Sequence, residues 1–257
     1  MDLGLADKVG IVTGASRGIG RAIAQTLAAE GMRLVLVARS RDQLDALAAS
    51  LPTPGLVHAA DLRDPDTPDA VVRATVARFG RLDVLVNNAG ATTRGDFLAL
   101  PDADWQDGFA LKFFGAVRCC RAAWPHLQAA RGAVVNVVGI GGRTGSADFT
   151  VGGAVNAALL NLTKALADRG VHDGVRVNAV NPGSVATERL QARLRRFAAE
   201  RGLEPDQAAD EMAQAMKVAR FGQPDEIAAV VAFLASHQAQ YCQGTVVDVD
   251  GGQTRTL

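Results

Sequence analysis

The strongest constraint on this chain is a unit that repeats along it: a short β-branched strand, a turn, then an amphipathic helix. Val9 to Thr13 is an apolar strand and Gly14 to Gly20 a Gly-rich turn. Ile19, Ile23, Leu27 and Ala28 then recur at helical spacing until Gly31 stops the helix. Leu34–Val37, Leu56–Ala59 and Asp83–Val86 read as further strands, with helices at Asp42–Ser50 and Asp66–Phe79 between them. The second half continues with a long helical region over 102–130, a strand at Val134, a helix from about Val151 and a strand at Val175–Val180. Two helical stretches follow between Thr187 and Ala215, then a Pro-initiated helix over Pro224–Ser236 and a last strand at Thr245–Val249. Strands separated by helices must run parallel, joined by right-handed crossovers that cover both faces of the sheet. The pattern predicts a doubly wound α/β fold over residues 1–257 as one domain, with the charge-rich stretch 187–220 as a small helical lid.

At 257 residues and 48% hydrophobic, the chain can bury one large core. Its 27 basic and 27 acidic residues cancel, and no segment concentrates one sign, which argues against a nucleic-acid or membrane partner. No run of 18 apolar residues occurs. A soluble, cytoplasmic protein is expected. Cys119, Cys120 and Cys242 are odd in number and two are adjacent, so they read as small buried thiols and not as disulfides. The four histidines are scattered, without the spacing of a metal site. Trp105, Trp124, Phe109, Phe113 and Phe114 crowd the 102–130 region and read as core or subunit interface.

The first chemistry lies in Gly14, Ser16, Arg17, Gly18, Ile19 and Gly20, between the first strand and the first helix. Glycines there allow a phosphate to approach the backbone and meet free amides at a helix N-terminus. The letters Gly14–Gly18 also fit the G-x-S-x-G nucleophile elbow, but the glycines continue to Gly20 and no oxyanion segment precedes Ser16. At the end of the second strand a cofactor with a free ribose 2′-hydroxyl calls for an acid, and the chain offers Ala38 and Arg39. Arg39 with Arg17 suits a 2′-phosphate, so NADP(H) is expected in preference to NAD(H).

Several stretches together resemble the short-chain dehydrogenase/reductase family over nearly the whole chain: Thr13–Gly20, Asp61–Leu62, Asn87–Gly90, Val177–Gly183 with Thr187, Arg220–Ala228 and Asp250–Gly252. The resemblance implies a Rossmann-type sheet of about seven strands in the order 3-2-1-4-5-6-7, and a homo-oligomer, either tetramer or dimer. It implies that Asp61 and Leu62 hold the adenine and that Asn88, Ala89 and Gly90 line the nucleotide. Pro182, Gly183, Val185 and Thr187 would stand at the nicotinamide end. The substrate would be a small molecule.

The family's chemistry uses a tyrosine as acid or base, a lysine four residues on, a serine thirteen residues before and an asparagine as proton relay. Those positions fall here on Gly152, Asn156, Gly139 and Lys112. The only tyrosine, Tyr241, has no lysine four residues beyond it. Glycine has no group for acid–base work. Lysine and asparagine have exchanged places, so either Lys112 brings a cation to Asn156 across one pocket, or Lys112 points to solvent and Asn156 fills space. In the first case burial would lower the Lys112 pKa and suit it to general acid catalysis. Gly152 and Gly153 are expected to open a pocket where a phenol ring would otherwise stand. Polar residues of the 141–150 loop, Arg143 and Asp148 among them, border the substrate by this resemblance. Three functions stay open: an atypical oxidoreductase acting on a small carbonyl or imine, an inactive NADP(H)-binding regulatory or partner subunit, and a non-redox enzyme using the opened pocket.

Overall fold

The computed structural model describes residues 2–255. Seven strands form one parallel sheet: β1 (Val9–Thr13), β2 (Arg33–Ala38), β3 (Gly55–Ala59), β4 (Val84–Asn87), β5 (Ala133–Val137), β6 (Arg176–Pro182) and β7 (Val246–Val249). Their order is β3-β2-β1-β4-β5-β6-β7, with a crossover that carries the chain from one edge to the middle between β3 and β4. The C-terminal ends of β1 and β4 therefore diverge at the centre, where an α/β sheet opens its ligand crevice. Strands β1, β4 and β5 are buried at every residue, as strands covered on both faces must be.

Helices α1 (Gly18–Ala29), α2 (Arg41–Ser50) and α9 (Pro224–Ala235) cover one face. Their apolar stripes, including Ile23, Leu27, Leu44, Ile227 and Val231, join one core cluster with Val12, Leu34 and Val86 of the sheet. The other face is covered by α3 (Thr67–Phe79), α5 (Gly115–Ala130) and α6 (Thr150–Asp173), and its cluster holds Leu85, Val134, Val177, Cys120 and Leu127. Pro224 at the first position of α9 is backed by a reciprocal cap between Gln223 and Glu226, so the Arg220–Ala228 stretch is in part a helix-start signal. Cys119 and Cys120 are buried free thiols, and burial pushes both pKa values up.

One helix departs from the sequence reading. The 102–130 region is α4 (Asp102–Gly108), a π-helical turn over Phe109–Phe114, and α5. The wider turn shifts the helical phase between two glycines, Gly108 and Gly115, and Lys112 lies inside it. The 187–220 stretch forms α7 (Glu188–Arg201) and α8 (Pro205–Ala215), which pack on each other through Leu190, Leu194 and Met212 as a small cluster apart from the sheet cores. No helix among the described residues is long and apolar enough to cross a membrane.

Candidate functional site

The turn after β1 is shaped for a ligand that touches backbone. Gly14 and Gly18 have φ of +67° and +55°, in the left-handed region. A Cβ on Gly14 would lie 2.9 Å from Ala89 Cα, and one on Gly20 would lie 2.2 Å from Gly14 O, so neither position tolerates a side chain. Asn88 Nδ2 donates to Thr13 O and Gly14 O at 3.0 and 3.2 Å, and Thr13 Oγ1 accepts from the amides of Asn88 and Ala89. Asn88 therefore ties β4 to the turn. Among the described residues no backbone carbonyl accepts from the amides of Ser16 to Gly20, and Arg17, the residue before α1, makes no side-chain cap. Unclaimed donors at a helix N-terminus fit the phosphates of a dinucleotide.

The remaining cofactor candidates surround this turn. Arg17 pairs with Glu188 at 3.4 Å, whereas Arg39 is exposed with no ion pair among the described residues. Asp61 accepts from the Arg63 amide at 3.0 Å and pairs with the Arg63 guanidinium at 3.3 Å. Leu62 is 5% exposed with its side chain in the core, so only its backbone faces outward. Asn87 turns away from the crevice as well, donating to Asn136 Oδ1 at 2.9 Å. Thr187 stands over Gly18, with its Cγ2 at 3.3 Å from a Cβ built there. Val185 is bridged to Gly222, and Gly183 lies beneath Asp250, whose Cβ is 2.7 Å from a Cβ built at Gly183. Pro182 closes β6.

At the end of β5 the residues of the exchanged pair meet. Lys112 Nζ donates to Val138 O at 2.5 Å and to Asn156 Oδ1 at 2.6 Å. Its stem crosses Gly90, where a Cβ would lie 2.9 Å from Lys112 Cδ. Lys112 is half-buried, and no acid pairs with it among the described residues. Burial, reinforced by the charge of Arg189, pushes its pKa down to about 7. The solvent-pointing reading of Lys112 does not hold. Asn156 Nδ2 donates to Gly139 O at 3.4 Å, and Gly139 N donates to Asn181 Oδ1 at 3.1 Å. Gly139 has φ of +128°, a conformation that a serine would adopt only with strain.

The expected opening at Gly152 is absent. A Cβ there would lie 2.0 Å from Phe149 Cζ and one on Gly141 2.9 Å from Phe149 Cε1, because the Phe149 ring fills the space. Phe149 precedes α6, so its ring reaches forward over the first turn of the helix. The Arg94 guanidinium stacks 4.0 Å above that ring and pairs with Asp148 at 2.9 Å, while Ser146 Oγ also donates to Asp148. Arg143 turns the other way and pairs with Asp248 at 3.5 Å.

Phe149, Arg94, Arg189 and Arg193 are the site residues that the sequence reading passed over. Arg189 donates to Gly90 O at 3.0 Å, and Arg193 lines a cavity of about 300 Å³ with Phe197, Met212 and Met216. Arginines on a surface helix carry no periodic signal that separates a cleft from solvent. No group of His, Cys, Asp or Glu among the described residues could hold a metal ion.

The family model described as enoyl-(acyl carrier protein) reductase matches residues 14–254. The chain is 35% identical over 253 residues to meso-2,3-butanediol dehydrogenase of Serratia marcescens, covering 96% of this chain and 95% of that one. It is 35% identical over 249 residues to the 3-oxoacyl-acyl-carrier-protein reductase of Escherichia coli, covering 95% and 96%. Among solved structures, L-sorbose reductase of Gluconobacter frateurii, complexed with NADPH and L-sorbose, superimposes with a TM-score of 0.96 at 34% identity over 100% of both chains. Levodione reductase gives a TM-score of 0.90 at 33% identity, over 96% of this chain and 98% of that one. With the strand order, the Gly-rich turn and these full-length matches in agreement, the chain belongs to the short-chain dehydrogenase/reductase family.

Proposed function

We propose that the protein binds NADP(H) and acts as an oxidoreductase on a small carbonyl or imine-type substrate, with Lys112 in place of the family's tyrosine and lysine. The observation that carries this reading is the Lys112 Nζ held between Val138 O and Asn156 Oδ1 at the end of β5. Support for the cofactor comes from the unclaimed amides of Ser16 to Gly20, from Arg39 without a partner, and from a structural neighbour complexed with NADPH. NADPH, when bound, supplies a hydride. Lys112 holds a proton at Nζ and delivers it to the substrate oxygen as negative charge develops there, and Asn156 and Val138 fix the direction of the ammonium. An iminium substrate has no oxygen to protonate and makes no demand on that proton.

Calorimetry with NADPH and NADH, followed by the loss of absorbance at 340 nm over ketones, imines and enones from pH 6 to 9, tests the reading. Tighter binding of NADPH is expected, with ketone kcat/KM falling about tenfold per pH unit above roughly pH 7, where Lys112 gives up its proton. Unchanged NADPH affinity and turnover in Lys112→Ala, together with a pH-independent ketone rate, would sink it. A second reading, cofactor binding without turnover as a regulatory or partner subunit, is favoured by the Phe149 ring in the space beside Gly152. Binding without turnover across the panel selects it. The non-redox reading rested on an open pocket and loses that ground. The proposal includes a cytoplasmic homo-oligomer, in keeping with free cysteines and with exposed apolar side chains at Phe114, Val171 and Tyr241.

A further inference from the structure

Five cations converge on the mouth of the cleft from four separate parts of the chain. Lys112 comes from the π-helical turn, Arg17 from the turn after β1, Arg94 from the loop after β4, and Arg189 and Arg193 from successive turns of one face of α7. Their charges act on one another: Arg189 on Lys112, Arg17 and Arg94 on Arg189, and Arg94 on Arg193. Two acids answer them. Glu188 pairs with Arg17 at 3.4 Å and Asp148 with Arg94 at 2.9 Å, which leaves a local charge of +3 while Lys112 holds its proton and +2 once it is lost. Arg189 has one acceptor, the neutral Gly90 O, and Arg193 has neither a hydrogen bond nor an ion pair among the described residues. Arg189 is exposed and Arg193 half-buried; partial desolvation and neighbouring arginines push both pKa values down, and Asp148 works against this at Arg193.

Like charges crowded beside a partly desolvated cleft cost free energy unless a ligand of opposite sign offsets them. The chain as a whole is neutral, so the excess here is local. Position divides the cluster. Arg17 stands at the N-terminus of α1 with the phosphate-binding turn, whereas Arg94 lies out by Phe149 and Asp148 on the side of the β5–α6 loop, and Arg193 stands one turn of α7 beyond Arg189, which is bonded to Gly90 O. Arg193 also borders the cavity between α7 and α8.

We propose that Arg189 and Arg193 form an anion subsite, so that the substrate is a small carbonyl or imine compound bearing a carboxylate or phosphate group. A planar guanidinium fork pairs with either anion in the bidentate manner that orients a substrate, and α7 places two such forks one helical turn apart on the rim. The excess charge also draws anions toward the cleft before they dock. This subsite rests on the oxidoreductase reading for its substrate but not for its binding chemistry.

The test compares each acid with a neutral partner: 4-oxopentanoate with its methyl ester, and dihydroxyacetone phosphate with dihydroxyacetone, in NADPH-dependent reduction. At least a tenfold preference in kcat/KM for one charged member is expected, and which pair shows it names the anion. The preference should fall at least tenfold in Arg189→Gln and Arg193→Gln and weaken as salt is raised. It should persist in Arg195→Gln, which removes an exposed charge elsewhere on α7. A preference below twofold in both pairs overturns the subsite. So does a preference that survives both substitutions, or variants that lose NADPH affinity tenfold and leave the preference intact. Should nothing be reduced, the oxidoreductase reading fails by itself. Calorimetry of 4-oxopentanoate and of inorganic phosphate against the protein, with NADPH if it binds, then decides the subsite. Binding that disappears in Arg193→Gln upholds it, and no binding at millimolar concentration overturns it.

Discussion

Replacing Lys112 with methionine keeps the unbranched stem that crosses Gly90 and removes the charge. Lys112 gives up its proton at about 7 in the fold, against an ordinary value of 10.5. At about 1.36 kcal/mol per pH unit, the gap makes the buried ammonium cost the folded state about 5 kcal/mol below pH 7. Between pH 7 and 10.5 the unfolded chain carries the extra proton, so wild-type stability rises with pH there. Methionine abolishes that rise. It also leaves Val138 O and Asn156 Oδ1 without their donor, at roughly 1–3 kcal/mol each, so the two effects nearly cancel near pH 6.5. The slope does not cancel. From pH 6.5 to 9 the wild type should gain about 2.5 kcal/mol on Lys112→Met, measured by urea unfolding at both pH values. Profiles that run parallel within about 0.5 kcal/mol would refute the burial of this charge.

Two further outcomes follow from the same pocket. Gly152→Ala places a Cβ 2.0 Å from Phe149 Cζ and should destabilise the protein by roughly 1–3 kcal/mol, a cost that disappears when Phe149→Ala is present. Thermal unfolding of the double-mutant cycle measures the coupling, and additive effects contradict the contact. Gly139→Ser imposes a φ of +128° on a residue with a Cβ, and should cost roughly 1–3 kcal/mol without restoring ketone turnover. A stable, more active Gly139→Ser enzyme would show that the backbone there relaxes freely.

The sheet was readable because each strand is a short apolar run between turn signals, with β1, β4 and β5 buried at every residue and only the edge strands β3 and β7 half-buried, so the pattern placed all seven within a residue or two. Their lateral order is not a property of spacing; it came with the family resemblance, and the structure has it. Counting residues also placed Lys112 opposite Asn156, yet it could not show the π-helical turn, because Phe109–Phe114 is as good a helix in letters as its flanks. The pocket misled the sequence reading for a different reason. Position 152 was judged by the side chain it lacks, whereas space in a fold belongs to whichever neighbour reaches it.

That neighbour makes the substitutions one packing event. Phe149 can lie over the start of α6 only if the residues beneath it have no Cβ, and Gly141 and Gly152 are the two positions where a Cβ would meet its ring within 3 Å. A tyrosine at 152 and a phenylalanine at 149 would compete for one volume, so restoring the family's tyrosine alone must displace Phe149 and the Arg94 stacked on it. Arg94 in turn holds Asp148, one of the two acids that temper the cationic rim. The glycine at 152, the ring that replaced its side chain and the charge at the mouth of the cleft are therefore mechanically joined. A change to any one of them alters both the shape and the electrostatics that a substrate meets.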